Sequence, residues 1–396
     1  MSSVLQPIVP VVLFASSISS FCLAVSTPRP VRWLPQIPLL ILIYLSFANS
    51  HRWPAPIDSL WGMMMTVWVS HSTSILWLAD WQTWWKDEDK CAGEARLCPC
   101  ERHRHIWRLW NNPRLIGTPG EVRGVPNAIT SISKLVFVRA GKLLGYWILW
   151  HHIQPLIFPG LFMPIQISEF GVGYESIVRR LASSGFGPPV TAREIAMRSV
   201  WAVLWASGAA LLIDAAHAVL SILCVAAFKI DEPADWPPMF GSILEAYSIR
   251  RFWGHFWHKI IVQPYTQLGK LFSRKVLGLN PKSGGDKICV VLTIFLLSGM
   301  AHAAVGYQLG DRCGWVQDIV WFCSNAIAGA GELLATAFLQ HLTRTAGLRL
   351  QSRTANKAFG FIWVFLFFFW SVPKWQYPKL RCAIEQEIAR SRSGAF

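Results

Sequence analysis

One histidine stands alone in the run Ile294-Phe295-Leu296-Leu297-Ser298-Gly299-Met300-Ala301-His302-Ala303-Ala304-Val305-Gly306-Tyr307, where only the terminal tyrosine is otherwise ionisable. At helical spacing His302 has Ser298, Gly299, Val305 and Gly306 as neighbours, all short side chains. One reading is close packing of helices through small residues, with the imidazole satisfied by an interhelical hydrogen bond. The other is a base in a cavity, because an ionisable group within an apolar span marks a candidate site. Burial disfavours imidazolium, so such a histidine stays neutral and able to take a proton.

A second constellation is Tyr247-Ser248-Ile249-Arg250-Arg251-Phe252-Trp253-Gly254-His255-Phe256-Trp257-His258-Lys259. On a helix at about 100° per residue, Arg251, His255 and His258 fall within roughly 60° of one another and share a polar face. Phe252, Trp253, Phe256 and Trp257 cover much of the remaining circumference and would hold the helix at headgroup depth. A basic amphipathic membrane anchor fits this pattern. A polar site face fits it too, since histidines at neutral pH are poorer cations for lipid than lysines.

Other polar residues have blander readings. Asp214 and His217, at i and i+3, can meet on one helix face, as a structural pair or as part of a reaction chamber, and a proton-coupled transporter could carry such charges. Cys91, Cys98, Cys100, His103 and His105 mix zinc-ligand types, but their spacing departs from paired-cysteine motifs, so reduced thiols and no metal are expected. The nine cysteines imply no disulfide framework, and Cys22, Cys224, Cys289 and Cys323 read as small side chains within apolar spans. His71, His151 and His152 read as packing or interface residues. No GxSxG, P-loop or HExxH occurs. Ser298 lacks an oriented partner, which makes direct transfer simpler than a covalent acyl-serine.

The elements that carry these residues follow from composition. Of 396 residues 53% are hydrophobic and only 15% charged, and mean hydropathy is +0.35, which excludes disorder, coiled coil and collagen. Twenty-two tryptophans against seven tyrosines suit a bilayer protein with indoles at the interface. The net charge of +15 fits cytosolic loops facing anionic lipid better than nucleic acid. Apolar stretches at 5–25, read as a retained first span rather than a signal peptide, 33–49, 57–79, 199–228, 288–307, 316–339 and 358–372 can cross a core that needs about 20 residues. A weaker one at 143–163, interrupted by Pro155 and Pro159, would make eight and reads as broken or re-entrant.

The expectation is an all-α polytopic membrane protein of about eight transmembrane helices plus an interfacial amphipathic helix around 247–272. Its segments are N-terminal spans (1–79), a polar loop (80–135), central spans (136–228), an interfacial loop (229–287), C-terminal spans (288–372) and a basic tail (373–396). Eight spans put 24 of the 37 Lys and Arg on one side, cytosolic by the positive-inside tendency, with the basic tail on the other. No internal repeat is apparent.

Arg251-Phe252-Trp253-Gly254-x-Phe256-Trp257-His258, followed about forty residues later by Leu297-Ser298-Gly299-x-x-His302, resembles the paired signature of wax synthase-like membrane-bound O-acyltransferases. The nearest likeness is to the fungal branch that acetylates terpenoid and meroterpenoid alcohols. The resemblance implies His302 as catalytic base and His258 as the second polar residue of the active site. Plant wax synthases usually carry asparagine at that second position, so His258 departs from the wider pattern. It further implies acetyl-CoA as cosubstrate, no permanently bound cofactor, a hydrophobic alcohol as acceptor, and residence in the endoplasmic reticulum. Chemistry agrees: acyl transfer to an alcohol needs a base, a donor for the oxyanion and exclusion of water. An N–H of His258 or Trp257 suits the oxyanion, and Arg250, Arg251 or Lys259 suits the anionic nucleotide end of CoA. His255, Asp214, His217 and Ser298 are left as chamber or supporting candidates. The rivals are a long-chain wax or sterol ester synthase and, outside enzymes, a transporter of a hydrophobic metabolite.

Overall fold

Backbone amides that meet no water must bond within their own segment, and apolar runs therefore fold as helices. The computed structural model describes residues 6–79, 99–156, 166–183, 185, 187–345 and 353–393, and among them no strand occurs. In chain order the principal helices are α1 (Val9–Ser26), α2 (Trp33–Asn49), α3 (Ile57–Thr73), α4 (Pro99–Trp110), α5 (Ile132–Ile148), α6 (Ala192–Ile222), α7 (Ile249–Arg251), α8 (Val262–Leu271), α9 (Gly284–Gln308), α10 (Trp315–Thr345) and α11 (Arg353–Ser393). Among the described residues five stretches are long and apolar enough to cross a bilayer: Val9–Ser26, Ala192–Ala227, Gly284–Gln308, Trp315–Thr343 and Lys357–Ala389. The protein is thus an integral membrane protein, and the other expected spans are shorter or incompletely described. α2 and α3 stop at 17 residues each. α5 carries Arg139 and Lys142 and passes through a wide turn at Leu149–Ile153, and residues 157–165 of the eighth expected span lie outside the described residues.

The chain divides into two compact units, Met1–Arg123 with Lys259–Gly310, and Gly124–His258 with Asp311–Phe396. In the first, α1 and α2 lie together, and Phe21, Leu39, Ile43, Met65 and Trp110 form its core. His71 is fully buried there with Nε2 2.7 Å from the Leu109 carbonyl, a packing role. α9 rests on α3 and α8. A Cβ at Gly62 would lie 2.8 Å from Phe47 and 2.9 Å from Val305, so only glycine lets α3 come this close to α9.

In the second unit α6 packs on α5 and α11. The expected tail beyond Pro373 is instead the continuation of α11, which runs through Pro373 and Pro378. Tertiary anchors outweigh the prolines: Trp375 stacks on Trp321 with centroids 4.1 Å apart, and its indole N–H donates to Asp318 at 2.7 Å. Lys379 donates to the same carboxylate at 2.7 Å. Among the described residues one disulfide, Cys313–Cys382, ties the chain just before α10 to α11, a single bond that the sequence did not single out. Cys22, Cys224, Cys289 and Cys323 are free and partly buried. Cys91 and Cys98 lie outside the described residues, and no group of three metal ligands occurs among those described.

Candidate active site

The stretch carrying the first motif does not form the single helix that its pattern predicts. α7 makes one turn, begun by Ser248, whose Oγ accepts the Arg251 N–H at 3.1 Å. Phe252–Phe256 then winds as a wider turn closed by the Trp257 N–H on the Phe252 carbonyl at 2.8 Å. At Trp257 the backbone is extended, with φ −66° and ψ 154°. The shared face of Arg251, His255 and His258 is therefore lost: His255 is exposed within the turn, and His258 follows it, half-buried. A neighbouring loop explains the interruption. Gly241 donates its N–H to the Phe256 carbonyl at 2.9 Å, and a Cβ at Gly241 would overlap the His255 carbonyl oxygen, 2.0 Å away.

Of the motif's aromatic residues, Phe252 and Trp257 are core, and Trp253 and Phe256 are half-buried. Phe252 and Trp257 are 4% and 7% exposed. They stack on each other at 5.4 Å, and Trp205 of α6 packs against both, as does Phe240 against Trp257. His258 lies against this cluster, its ring 5.5 Å from Trp257 and 5.9 Å from Phe240.

The cations divide by environment. Arg251 pairs with Glu245 and lies over the Tyr247 ring at 4.5 Å. Lys259 is 7% exposed and donates to the Arg123 carbonyl at 2.8 Å. Burial, with Arg114 nearby, pulls its ammonium below the usual lysine range. Arg250 is exposed and lines a groove of about 490 Å³ with Ser248, Gly331, Glu332 and Trp363.

His302 sits half-buried on α9 in the first unit, among buried Ser298, Gly299, Ala301, Ala303 and Val305. The Ser298 hydroxyl donates to the Ile294 carbonyl at 2.9 Å, so its one proton is committed to its own helix. Asp214 pairs with α5: Lys142 Nζ and Tyr146 Oη each lie 2.7 Å away and Arg139 3.6 Å. His217 is buried with its ring 5.2 Å from Trp236. His151 and His152 are exposed beside Trp147.

Two residues absent from the sequence reading hold the motif. Asn325 accepts the Trp253 indole N–H at 3.1 Å, and Glu332 accepts the Ile249 N–H at 2.5 Å. Glu332 had a signal: it is a carboxylate within an apolar stretch, the property that singled out His302.

Residues 236–324, which contain both motifs, match the Membrane bound O-acyl transferase family. The chain is similar to acetyltransferase spyB of Aspergillus fumigatus, 25% identical over 69% of this chain and 47% of that protein. It is likewise similar to acetyltransferase atnC of an Arthrinium species, at 34% over 45% of this chain and 40% of that protein. Acetyltransferase ataH of Aspergillus terreus is 28% identical over 68% of this chain and 86% of its own length. The chain thus spans under half the length of the first two. No solved structure matches it.

Proposed function

We propose that this protein transfers an acetyl group from acetyl-CoA to a hydroxyl of a hydrophobic terpenoid or meroterpenoid alcohol, as an eight-span enzyme of the endoplasmic reticulum. The observation that carries the reading is the placement of His302, within an apolar helix and among small side chains, inside the segment that matches the acyltransferase family. In this reaction His302 takes the hydroxyl proton as the alcohol oxygen attacks the thioester carbonyl. The C–O bond forms, the C–S bond breaks, and the proton passes to the departing CoA thiolate. An N–H of His258 or Trp257 stabilises the tetrahedral oxygen, and Arg250 meets the CoA phosphates. Apolar surroundings spare the thioester from hydrolysis. No metal is required by this chemistry. The names of the relatives support acetyl as the acyl group.

Microsomes containing the protein, supplied with a terpenoid alcohol and either acetyl-CoA or palmitoyl-CoA, test this directly. Acetyl-CoA consumption with a product heavier by one acetyl group is expected. Use of palmitoyl-CoA alone would make the protein a long-chain ester synthase, and consumption of neither donor would favour a transporter.

A further inference from the structure

We propose that one face of α10, formed by Asn325, Gly329 and Glu332, is the cradle that sets the motif segment in place, with Glu332 as its principal positioning residue. The three residues are spaced i, i+4 and i+7 and so lie along one side of the helix. The Glu332 carboxylate accepts the backbone N–H of Ile249 at 2.5 Å and of Arg250 at 3.1 Å, and the Trp363 indole N–H from α11 at 2.7 Å. Two turns earlier Asn325, 1% exposed, accepts the Trp253 indole N–H at 3.1 Å. Its amide can point only one way, because its Nδ2 donates to the Trp321 carbonyl at 2.8 Å. Between them a Cβ at Gly329 would lie 3.2 Å from Arg250 Cγ, so the Arg250 side chain lies close over a residue that has none.

The motif needs such support. A single helical turn followed by a wide turn gains too few internal bonds to hold its own shape. A carboxylate among apolar helices is tolerated only when its oxygens are paired, and three donors pair these. With its acceptor sites engaged in this way, Glu332 positions rather than transfers a proton. Trp257 and His258 follow the anchored turn directly, so its displacement moves them. The inference rests on reading this motif as part of the active site, and a misplacement of about 1 Å can cost about 10²-fold in rate.

Hydrogen exchange of the purified full-length protein, read by mass spectrometry, tests the placement independently of activity. Glu332→Ala should raise exchange over 249–257 by about tenfold or more while α5 and α6 stay protected. Glu332→Gln, which keeps an acceptor for Ile249 but turns an NH2 toward Arg250, should give a smaller rise. If Glu332→Ala does not insert, Asn325→Leu serves in its place, with Asn325→Asp, which retains the acceptor, as the rescue. In acetyl transfer, Glu332→Gln should lower kcat with the KM for acetyl-CoA within about twofold and no displaced limb in the pH profile. Unaltered exchange over 249–257 in the glutamine and leucine variants would overturn the cradle, and a displaced pH limb would overturn the positioning role. A wild-type protein that transfers no acetyl group, yet shows the exchange change, would retain the cradle and refute the proposed function.

Discussion

An imidazole and a serine one turn apart offer two ways to move an acyl group, and the hydroxyl's commitment separates them. Ser298 gives its proton to the Ile294 carbonyl, which leaves the imidazole of His302 as the base in the proposed reaction. His302→Ala should therefore reduce acetyl transfer by about 10²-fold or more while the protein remains membrane-inserted. Turnover near wild type in that variant would remove His302 from the chemistry. His258→Asn should retain measurable transfer and His258→Ala much less, if the residue chiefly donates a hydrogen bond; equal and complete loss would point to proton transfer instead. His302 was legible because charge-capable groups are rare in apolar runs. Glu332 obeys the same rule. Asn325 was not legible, since a neutral amide in a span carries no such signal and its partner Trp253 lies 72 residues away in sequence.

Elements were legible where hydropathy alone shapes them and illegible where another element intervenes. α1, α6, α9 and α10 fall on the expected apolar stretches. The motif pattern of 247–258 satisfies a helix, but the loop at Gly241 takes the Phe256 carbonyl and the chain leaves the helix at Trp257. Gly241→Ala would push a methyl group into the His255 carbonyl, 2.0 Å from an ideal Cβ. Overpacking of this kind costs about 1–3 kcal/mol, so a lower Tm in detergent and a loss of transfer of about tenfold or more are expected. Gly208→Ala in α6, where nothing lies within 4 Å, is the matched control and should hold or raise the Tm. Equal Tm values for the two variants would mean that the loop does not confine the motif. α11 makes the complementary point. The apolar stretch ends at 372, yet Asp318 draws Trp375 and Lys379 inward and the helix continues through Pro373 and Pro378. Asp318→Leu leaves the Lys379 ammonium with only Asp311, 3.2 Å away, and removes the acceptor of the Trp375 indole, so it should make the C-terminal half of α11 more open to protease than in the wild type.

At the scale of the whole molecule, the question is which parts of the chain face which compartment. Charge counting over eight spans puts the loop at 308–315 and everything after 373 opposite the basic loops, which leaves a basic segment on the unfavoured side. The disulfide between Cys313 and Cys382 joins those two segments. Disulfides persist in oxidising compartments and are rare in the reducing cytosol, so under the proposed eight-span arrangement a non-cytosolic side is expected for this bond. Positive charge orients loops near the first spans most strongly, and a basic stretch built into a folded helix need not follow it. The pairing was not legible because 69 residues separate the cysteines and neither lies in a paired motif. In sealed microsomes, an impermeant maleimide should leave Cys313 and Cys382 unlabelled, and labelling should appear only after both permeabilisation and reduction. Modification of either cysteine in intact, unreduced vesicles would place this end of the chain in the cytosol and require one span fewer or one more before residue 313.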